Sequence, residues 1–357
     1  MNSIFRKIDW QMMVSIFILI SAGLLSLFSS SADFFHKQIY WIILALALFV
    51  FLVFVDLRSF FSHRSVVRGI YVLMVIILIF ALLFAPRIKG NRSWIVFGPF
   101  QFQPSEFAKV VLIIALAYFF SKSHVGIGRW KIVLNSFFYF ALLGIIVAAL
   151  PDMGSAFVLF ALWFGFVLVS GMPFKKIVIS SLVFIFIFVL MWSFIFKPYQ
   201  KERILGVLLP QSDPLGANYH AIQSKIAIGS GGIFGQGFRQ GTQVQLGFLP
   251  EAQTDFIFAA IAEEGGLLAM IILLGAFGWL VLRIIKMASM IEGNFDKFLC
   301  LGTAILFLSQ FVLNVGSNLG VLPIVGVTFP FVSYGGSSLI ANTILVGMMQ
   351  SAWVKRR

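Results

Sequence analysis

Cysteine and histidine are scarce in this 357-residue chain, which contains one Cys and four His residues. The single Cys300 lies within an apolar run, which excludes an intramolecular disulfide and a cysteine-based metal site. The histidines are scattered without the spacing of metal ligands, which argues against a histidine-based metal site. They are His36, His63, His124 and His220.

Charge is scarce as well. Charged residues make up 11% of the chain against 60% hydrophobic residues, and the mean hydropathy is +1.01. This composition excludes a water-soluble domain of this size and predicts an all-α polytopic membrane protein. Ten apolar runs each approach the roughly 20 residues that a helix needs to cross a bilayer. They lie at 11–31, 38–55, 69–86, 104–121, 132–150, 154–171, 177–196, 254–282, 298–320 and 329–354.

The basic residues predict how these helices are oriented. The chain has 26 Lys and Arg residues and 13 Asp and Glu residues, a net charge of +13. Most basic residues lie in short connections, where they hold loops on the cytoplasmic side, and this explains the charge better than nucleic-acid binding does. An even number of spans places both termini on one side, the basic connections assign that side to the cytoplasm, and 197–254 is then a long outer loop. We therefore expect residues 1–357 to form a single integral membrane domain.

Two charges interrupt the fourth apolar run. Glu106 and Lys109 are three residues apart, and this spacing places both side chains on one face of a helix, where they can neutralise each other. Pro104 suits the first turn of that helix. The pair either takes part in substrate binding or only fixes helix packing as a buried ion pair.

Two aspartates lie at the predicted outer ends of helices. Asp152 is in a short turn before the sixth run, where it either caps that helix or binds a ligand. Asp255 begins the eighth run, and Thr254 beside it already offers a capping oxygen. A carboxylate at the mouth of a span is costly and therefore indicates function. Glu263 and Glu264 lie two turns deeper, and we expect them to have a structural role on the inner side.

The outer loop contains a glycine-rich stretch at 227–237. Such a run can bring backbone N–H groups close to a phosphate, but it lacks the lysine and hydroxyl residue of a nucleotide-binding loop. The physical interpretation that we favour is a re-entrant segment lining an outer cavity, since irregular backbone at membrane depth must be shielded from lipid. A basic residue in another outer loop, Arg92, indicates an anionic ligand on the same face.

Nine short motifs occur in one order along nearly the whole chain. They are Arg92–Ile95, Phe102–Glu106, Pro151–Ser155, Ser212–Gly216, Ile222–Gly232, Leu249–Glu251, Thr254–Ala259, Glu263–Glu264 and Phe331–Gly336. This set resembles the SEDS family (shape, elongation, division and sporulation), and within it the RodA-like elongation branch. RodA-like sequences often have a basic residue and His before the Thr-Asp pair, where this chain has Ala252 and Gln253.

The resemblance implies a peptidoglycan glycosyltransferase that polymerises lipid II into β-1,4-linked glycan during cell elongation. Asp255 is the catalytic residue that the resemblance implies, acting as a general base in a single inverting displacement with polyprenyl pyrophosphate as leaving group. Cations would stabilise that leaving group. The expected substrate-binding residues are Arg92, Glu106, Lys109, Asp152 and Arg203.

The resemblance also implies surroundings for the enzyme. A divalent cation, Mg²⁺ or Mn²⁺, could be bound near Glu106, Asp152 and Asp255. The implied partner is a class B penicillin-binding protein, the transpeptidase that cross-links the glycan. The expected location is the bacterial inner membrane, with the active site on the extracytoplasmic side.

Two other classes of function fit part of the sequence. A flippase or transporter of the lipid-linked precursor would equally need intramembrane charges and a lipid-sized groove. A non-catalytic scaffold for the cross-linking partner would explain the apolar surfaces but not Asp255. Formation of polymer in detergent distinguishes synthesis from transport, because detergent-solubilised protein does not separate two compartments.

Overall fold

The computed structural model describes residues 6–55, 60–61, 63–86, 92–97, 100–123, 129–194, 198–209, 213, 216 and 218–355. Within these ranges the chain forms thirteen α-helices and one pair of short antiparallel strands. The strands are β1 (Ile95–Phe97) and β2 (Phe100–Phe102). The helices are α1 (Trp10–Ser30), α2 (Ala32–Phe54), α3 (Arg64–Phe84), α4 (Pro104–Lys122), α5 (Trp130–Ala149), α6 (Met153–Val169), α7 (Phe174–Phe194), α8 (Pro198–Leu208), α9 (Tyr219–Ser230), α10 (Thr242–Gln245), α11 (Ile257–Met290), α12 (Asn294–Asn318) and α13 (Gly336–Val354).

Ten of these helices, α1 to α7 and α11 to α13, coincide with the ten apolar runs. Among the described residues, seven helices are long and apolar enough to cross a membrane: α1 to α5, α11 and α12. Helix α6 is apolar but shorter, with 17 residues. The predicted all-α polytopic membrane fold is confirmed, whereas the number of ten spans and the single domain over 1–357 stay predictions.

The centre of the bundle is formed by α4, α12 and α13. Helix α13 packs against α2 and α4, and α12 packs against α4, α6 and α11. Nearly every side chain of α13 is buried. Large apolar side chains on α2, α3 and α5, such as Leu46, Phe84 and Ile145, are exposed instead. An apolar outer face of this kind suits contact with lipid tails.

The last apolar run differs from the prediction. The sequence predicts a span from residue 329, but α13 begins only at Gly336. The chain is irregular from 319 to 335, a stretch that contains Pro323 and Pro330, and proline has no N–H for a helix. This 319–335 segment packs tightly into the bundle, because a Cβ on Gly23 of α1 would lie 2.2 Å from Val332 O.

Helix α11 is interrupted at Gly266, whose φ of 62° and ψ of −162° are not helical. The interruption leaves backbone groups on both sides without partners in the helix, and at membrane depth such groups must be satisfied by other protein groups. The glycine-rich stretch supplies them. Gln236 N and Gly237 N donate to Glu263 O and Glu264 O at 2.9 and 3.2 Å, and Leu267 N and Leu268 N donate to Gly232 O and Ile233 O at 2.9 and 3.2 Å.

Glycine is required where this stretch enters the interruption. A Cβ on Gly231 or Gly235 would lie 2.0 Å from the carbonyl oxygens of Ala262 and Glu264, respectively. The two chains therefore touch through their backbones. These contacts explain the glycine-rich composition as backbone pairing with α11, which agrees with the favoured re-entrant interpretation rather than with a phosphate-binding loop.

Replacing Gly235 with Ala should destabilise the protein, because the residue has a φ of +83° and a Cβ would collide with Glu264 O. A side chain at positive φ alone costs about 1–3 kcal/mol. We expect the melting temperature in detergent to fall by at least about 2 °C.

The matched control is Gly229→Ala, since a Cβ on Gly229 in α9 meets no atom within 4 Å. Alanine favours a helix over glycine by about 1 kcal/mol, so this variant should melt at the parent temperature or slightly above. Equal losses in the two variants would show that the close approach at Gly235 is not needed.

Candidate active site

Asp255 lies in the turn that precedes α11 and is half-buried. Gly326 of the 319–335 segment faces its carboxylate, since a Cβ there would lie 3.6 Å from Asp255 Oδ2. Gly326 has a φ of +70°, so the backbone approaches the carboxylate in a conformation that favours glycine.

Two asparagines of α12 hold the main chain of Asp255. Asn314 Nδ2 and Asn318 Nδ2 both donate to Asp255 O, at 3.0 and 2.8 Å. Asn318 Oδ1 accepts from Ala259 N at 3.1 Å, which satisfies one of the N–H groups at the start of α11. Both asparagine side chains are buried. They therefore fix both the loop that contains Asp255 and the first helical turn of α11.

The two residues before Asp255 are fixed from the 319–335 segment. Ser333 Oγ donates to Thr254 O at 2.6 Å, and Tyr334 N donates to Gln253 O at 2.9 Å. Three consecutive carbonyls, of residues 253 to 255, thus accept hydrogen bonds from other parts of the bundle.

Asp152 performs the capping role that the sequence leaves open. Its Oδ1 accepts from Ser155 N at 3.1 Å at the start of α6. Its Oδ2 accepts from Ser105 Oγ at 2.6 Å and Gln103 Nε2 at 3.2 Å, which links α6 to the start of α4. The same end of α6 touches the 319–335 segment, because a Cβ on Gly154 would lie 2.2 Å from Val325 O. The 319–335 segment therefore contacts the start of α6 as well as the turn of Asp255.

Glu106 and Lys109 form the ion pair that their spacing predicts. Lys109 Nζ lies 2.7 Å from Glu106 Oε1, and the two residues are only 2% and 5% exposed. The pair lies inside the bundle, on the central helix α4. This burial favours the alternative in which the pair fixes helix packing over direct contact with a substrate.

The predicted arginines lie on different elements. Arg92 is half-buried and its Nη1 donates to Leu82 O at 3.0 Å, near the end of α3. Among the described residues, it forms no ion pair with a carboxylate. Arg203 lies on α8, but its side chain is outside the part of the chain that the structure describes.

Sequence reasoning missed three residues that the structure brings to the site. Asn314 and Asn318 lie four residues apart in an apolar helix, a polar spacing that could have indicated them.

Lys225 is an exposed residue of α9. Its Nζ lies close to Gly320, just beyond the end of α12, since a Cβ on Gly320 would be 2.5 Å from it. The adjacent Ser224 Oγ donates to Asn318 O at 2.8 Å, so a cation stands beside the asparagine that holds Asp255.

Glu263 and Glu264 have the structural role predicted for them, but with other partners. Glu263 is fully buried and accepts from Gln243 N at 2.7 Å and Val244 N at 3.2 Å, at the start of α10. Glu264 Oε1 accepts from Ser29 Oγ of α1 and from Gln245 Nε2 of α10. Both side chains bind α10, and Glu264 also binds α1, whereas the side of the membrane on which these contacts lie stays a prediction.

The predicted carboxylates do not form a joint metal site. Among the described residues, no three His, Cys, Asp or Glu side chains lie close enough together to hold a metal ion. Glu106 is paired with Lys109, and both oxygens of Asp152 are bound by α4 and α6. These three carboxylates could therefore bind a divalent cation only together with other ligands that complete its coordination.

Comparisons with known proteins show similarity along nearly the whole chain. A family model described as a cell cycle protein, for FtsW, RodA and SpoVE, matches residues 2–357. The chain is 38% identical over 296 residues to the peptidoglycan glycosyltransferase MrdB of Escherichia coli K12, covering 81% of this chain and 78% of MrdB.

Two solved structures have the same fold. One chain from a study of how a peptidoglycan synthase complex coordinates polymerization and crosslinking superposes with a TM-score of 0.82 at 31% identity, over 97% of both chains. The rod shape determining protein RodA of Thermus thermophilus superposes with a TM-score of 0.72 at 26% identity, over 98% of this chain and 97% of that chain.

Neutralising one member of the Glu106–Lys109 pair should leave the other charge buried without its partner. We expect Glu106→Gln and Lys109→Met each to lose about 3–5 kcal/mol of stability, and the double variant to lose clearly less than the sum. Thermal unfolding of all three variants in detergent measures this coupling.

The matched control is Asp33 and Lys37 on α2, which are joined at the same 2.7 Å but with side chains that are 69% and 50% exposed. Their neutral variants should leave the melting temperature close to that of the parent. Additive losses at residues 106 and 109 would show that the buried charges are not coupled.

Proposed function

This chain belongs to the FtsW, RodA and SpoVE family of cell cycle proteins, and from this premise we propose how it works. It is a membrane-embedded peptidoglycan glycosyltransferase. We propose that it polymerises lipid II into β-1,4-linked glycan strands, with polyprenyl pyrophosphate as the leaving group. The membrane bundle suits such a substrate, because its lipid tail can remain in the bilayer while the saccharide reacts at the surface.

The observation that carries the proposal is the way Asp255 is held. Its own carbonyl and those of the two preceding residues accept hydrogen bonds from α12 and the 319–335 segment. A general base must be placed within hydrogen-bonding reach of the proton that it removes, and a rigid main chain provides that placement.

In the proposed reaction, the 4-hydroxyl of one saccharide attacks the anomeric carbon of a lipid-linked chain. Asp255 takes the hydroxyl proton as the new glycosidic oxygen–carbon bond forms. The bond between the anomeric carbon and the pyrophosphate oxygen breaks, and the electron pair leaves with the pyrophosphate. One displacement of this kind inverts the anomeric centre. Proton removal by a placed base contributes roughly 10²–10⁴-fold.

The leaving pyrophosphate needs positive charge. Lys109 is engaged with Glu106 inside the bundle, so we assign the role first to Lys225, which is exposed next to the residues that hold Asp255. Arg92 and Arg203 remain candidates for more distant contacts. Such cations stabilise charge that develops in the transition state.

For a divalent cation we propose fewer protein ligands than the sequence predicts. Mg²⁺ typically binds one or two carboxylates together with substrate phosphates rather than a cage of protein ligands. Mg²⁺ or Mn²⁺ would be bound chiefly by the pyrophosphate oxygens and water, near the predicted carboxylates Glu106, Asp152 and Asp255. When bound, the ion would supply charge neutralisation at the leaving group.

The surroundings of the enzyme complete the proposal. We place it in the bacterial inner membrane with both termini in the cytoplasm and Asp255 on the extracytoplasmic side, where the glycan is assembled. Its partner is a class B penicillin-binding protein that cross-links the product. The similarity to a chain of a synthase complex that joins polymerization and crosslinking supports this partner.

Asp255→Asn should abolish polymer formation, because the amide keeps the shape of the side chain and cannot accept the proton. The test measures polymer from purified lipid II in detergent with the transpeptidase present, a setting in which transport between two sides is impossible. We expect a loss of at least about 10²-fold.

Asp213→Asn is the matched control, since Asp213 is an exposed carboxylate of the same long segment that accepts from Gly216 N at 3.0 Å. It should retain activity within about threefold of the parent, whereas loss of the general base should lower activity by at least about 10²-fold. Full activity of Asp255→Asn would remove the base from the mechanism, and no polymer from the parent would favour the transporter.

Asn318→Ala should lower kcat with little change in KM, because Asn318 is fully buried and positions the main chain of Asp255. A displacement of about 1 Å in a reacting group costs about 10²-fold, so we expect a fall of about 10- to 100-fold. Steady-state kinetics with lipid II separates the two constants.

Ser317→Ala is the control for this variant, because Ser317 is a buried neighbour whose Oγ donates only within its own helix, to Asn314 O at 2.8 Å. It should keep the parent kcat. A change in KM rather than kcat for Asn318→Ala would mean that Asn318 acts on substrate binding.

A further inference from the structure

Two adjoining cavities lie at the end of the bundle opposite Asp255, between the start of α1 and the end of α11. The part of α11 from Leu267 to Arg283, about 24 Å at 1.5 Å per residue, leads from the interruption at Gly266 to the cavity that Arg283 lines. The first, of about 490 Å³, is the basic cavity, and the second, of about 340 Å³, is the apolar groove. Trp10 and Gln11 line both.

The basic cavity carries excess positive charge. Arg283 is paired with Asp9, which also caps α1 by accepting from Met12 N at 3.0 Å, so these two charges offset each other. Arg6 and Lys7 line the same cavity and are exposed, which leaves a charge of +2 among the described residues. An anion would therefore be attracted to this cavity.

The basic cavity also contains a buried donor without an acceptor. Among the described residues, Arg283 Nε is buried and has no hydrogen-bond partner. A guanidinium has five N–H donors, and leaving one buried and unsatisfied is unfavourable. The charge that the basic cavity offers to a ligand therefore comes from Arg6 and Lys7.

The apolar groove continues from this cavity along two helix faces. Val14 and Ile18 of α1 line it at helical spacing, opposite Ala276 and Trp279 of α11. Trp279 is four residues before Arg283 and so lies on the same face of α11. Trp10 and Trp279 are both half or more exposed, and tryptophan favours the level of the lipid headgroups. The groove thus leads from the membrane surface toward the hydrocarbon.

We propose that the two cavities together bind one anionic phospholipid, with its phosphate in the basic cavity and an acyl chain in the apolar groove. A soluble anion would leave the groove unfilled, and a zwitterionic lipid would leave the charge of Arg6 and Lys7 unbalanced. The bound lipid joins the start of α1 to the end of α11. The occupant is a bilayer lipid and is distinct from the saccharide substrate.

The test measures lipid retained by the full-length protein in detergent by native mass spectrometry, with phosphatidylglycerol and phosphatidylcholine of identical acyl chains. The parent should bind phosphatidylglycerol the more tightly. Arg6→Gln with Lys7→Gln should weaken phosphatidylglycerol binding by about tenfold or more and leave phosphatidylcholine unchanged, since each basic residue near a headgroup contributes measurably.

The matched control removes two positive charges that line neither cavity, Lys122→Gln with Lys131→Gln, both exposed residues of α4 and α5. It should bind phosphatidylglycerol like the parent. Val14→Trp fills the groove from an exposed position and should weaken both lipids. Melting temperatures equal to that of the parent confirm that the variants are folded.

Three results would overturn the proposal. The first is equal binding of the two lipids by the parent. The second is an equal loss of phosphatidylglycerol binding in the variant changed at residues 6 and 7 and in the control changed at residues 122 and 131. The third is displacement of phosphatidylglycerol by inorganic phosphate together with unchanged binding by Val14→Trp, which would identify a site for a free anion.

Discussion

The structure depends on the exchange of backbone hydrogen bonds where α11 is interrupted at Gly266. Four carbonyl and amide groups that a continuous helix would use internally are paired with the glycine-rich stretch instead. Water cannot replace these bonds inside a membrane, so the stretch and the helix must be built together. The glycines at 231 and 235 are the consequence, since any side chain there would separate the two backbones.

This interruption turns the first part of α11 into a short, separately held helix. Glu263 on that helix binds the start of α10, Ala259 N is bound by Asn318, and the preceding turn is bound by Asn314 and Ser333. The short helix is therefore attached to α12, to the 319–335 segment and to the glycine-rich region at once. Asp255 takes its position from all three, which is how a single carboxylate at the end of a span becomes accurately placed.

Local patterns predicted much of this arrangement. The apolar runs located the helices, the spacing of Glu106 and Lys109 predicted their ion pair, and the turn before α6 predicted that Asp152 could cap it. The interruption at Gly266 was not predictable in the same way, because the groups that pair with it are about thirty residues earlier in the chain. The asparagines at 314 and 318 act on a residue about sixty positions away, and no local pattern contains that contact.

The carboxylates of the bundle differ in how they are held, and this difference separates structure from chemistry. Asp9, Glu106, Asp152 and Glu263 are all buried, and each is bound by basic or donor groups through its side-chain oxygens. Such bonds compensate for burial of the charge, and they use the carboxylate oxygens to hold neighbouring elements together. Asp255 is half-buried, and the asparagines of α12 bind its main-chain carbonyl. Holding a residue by its backbone fixes where its carboxylate can lie, and a general base needs that placement.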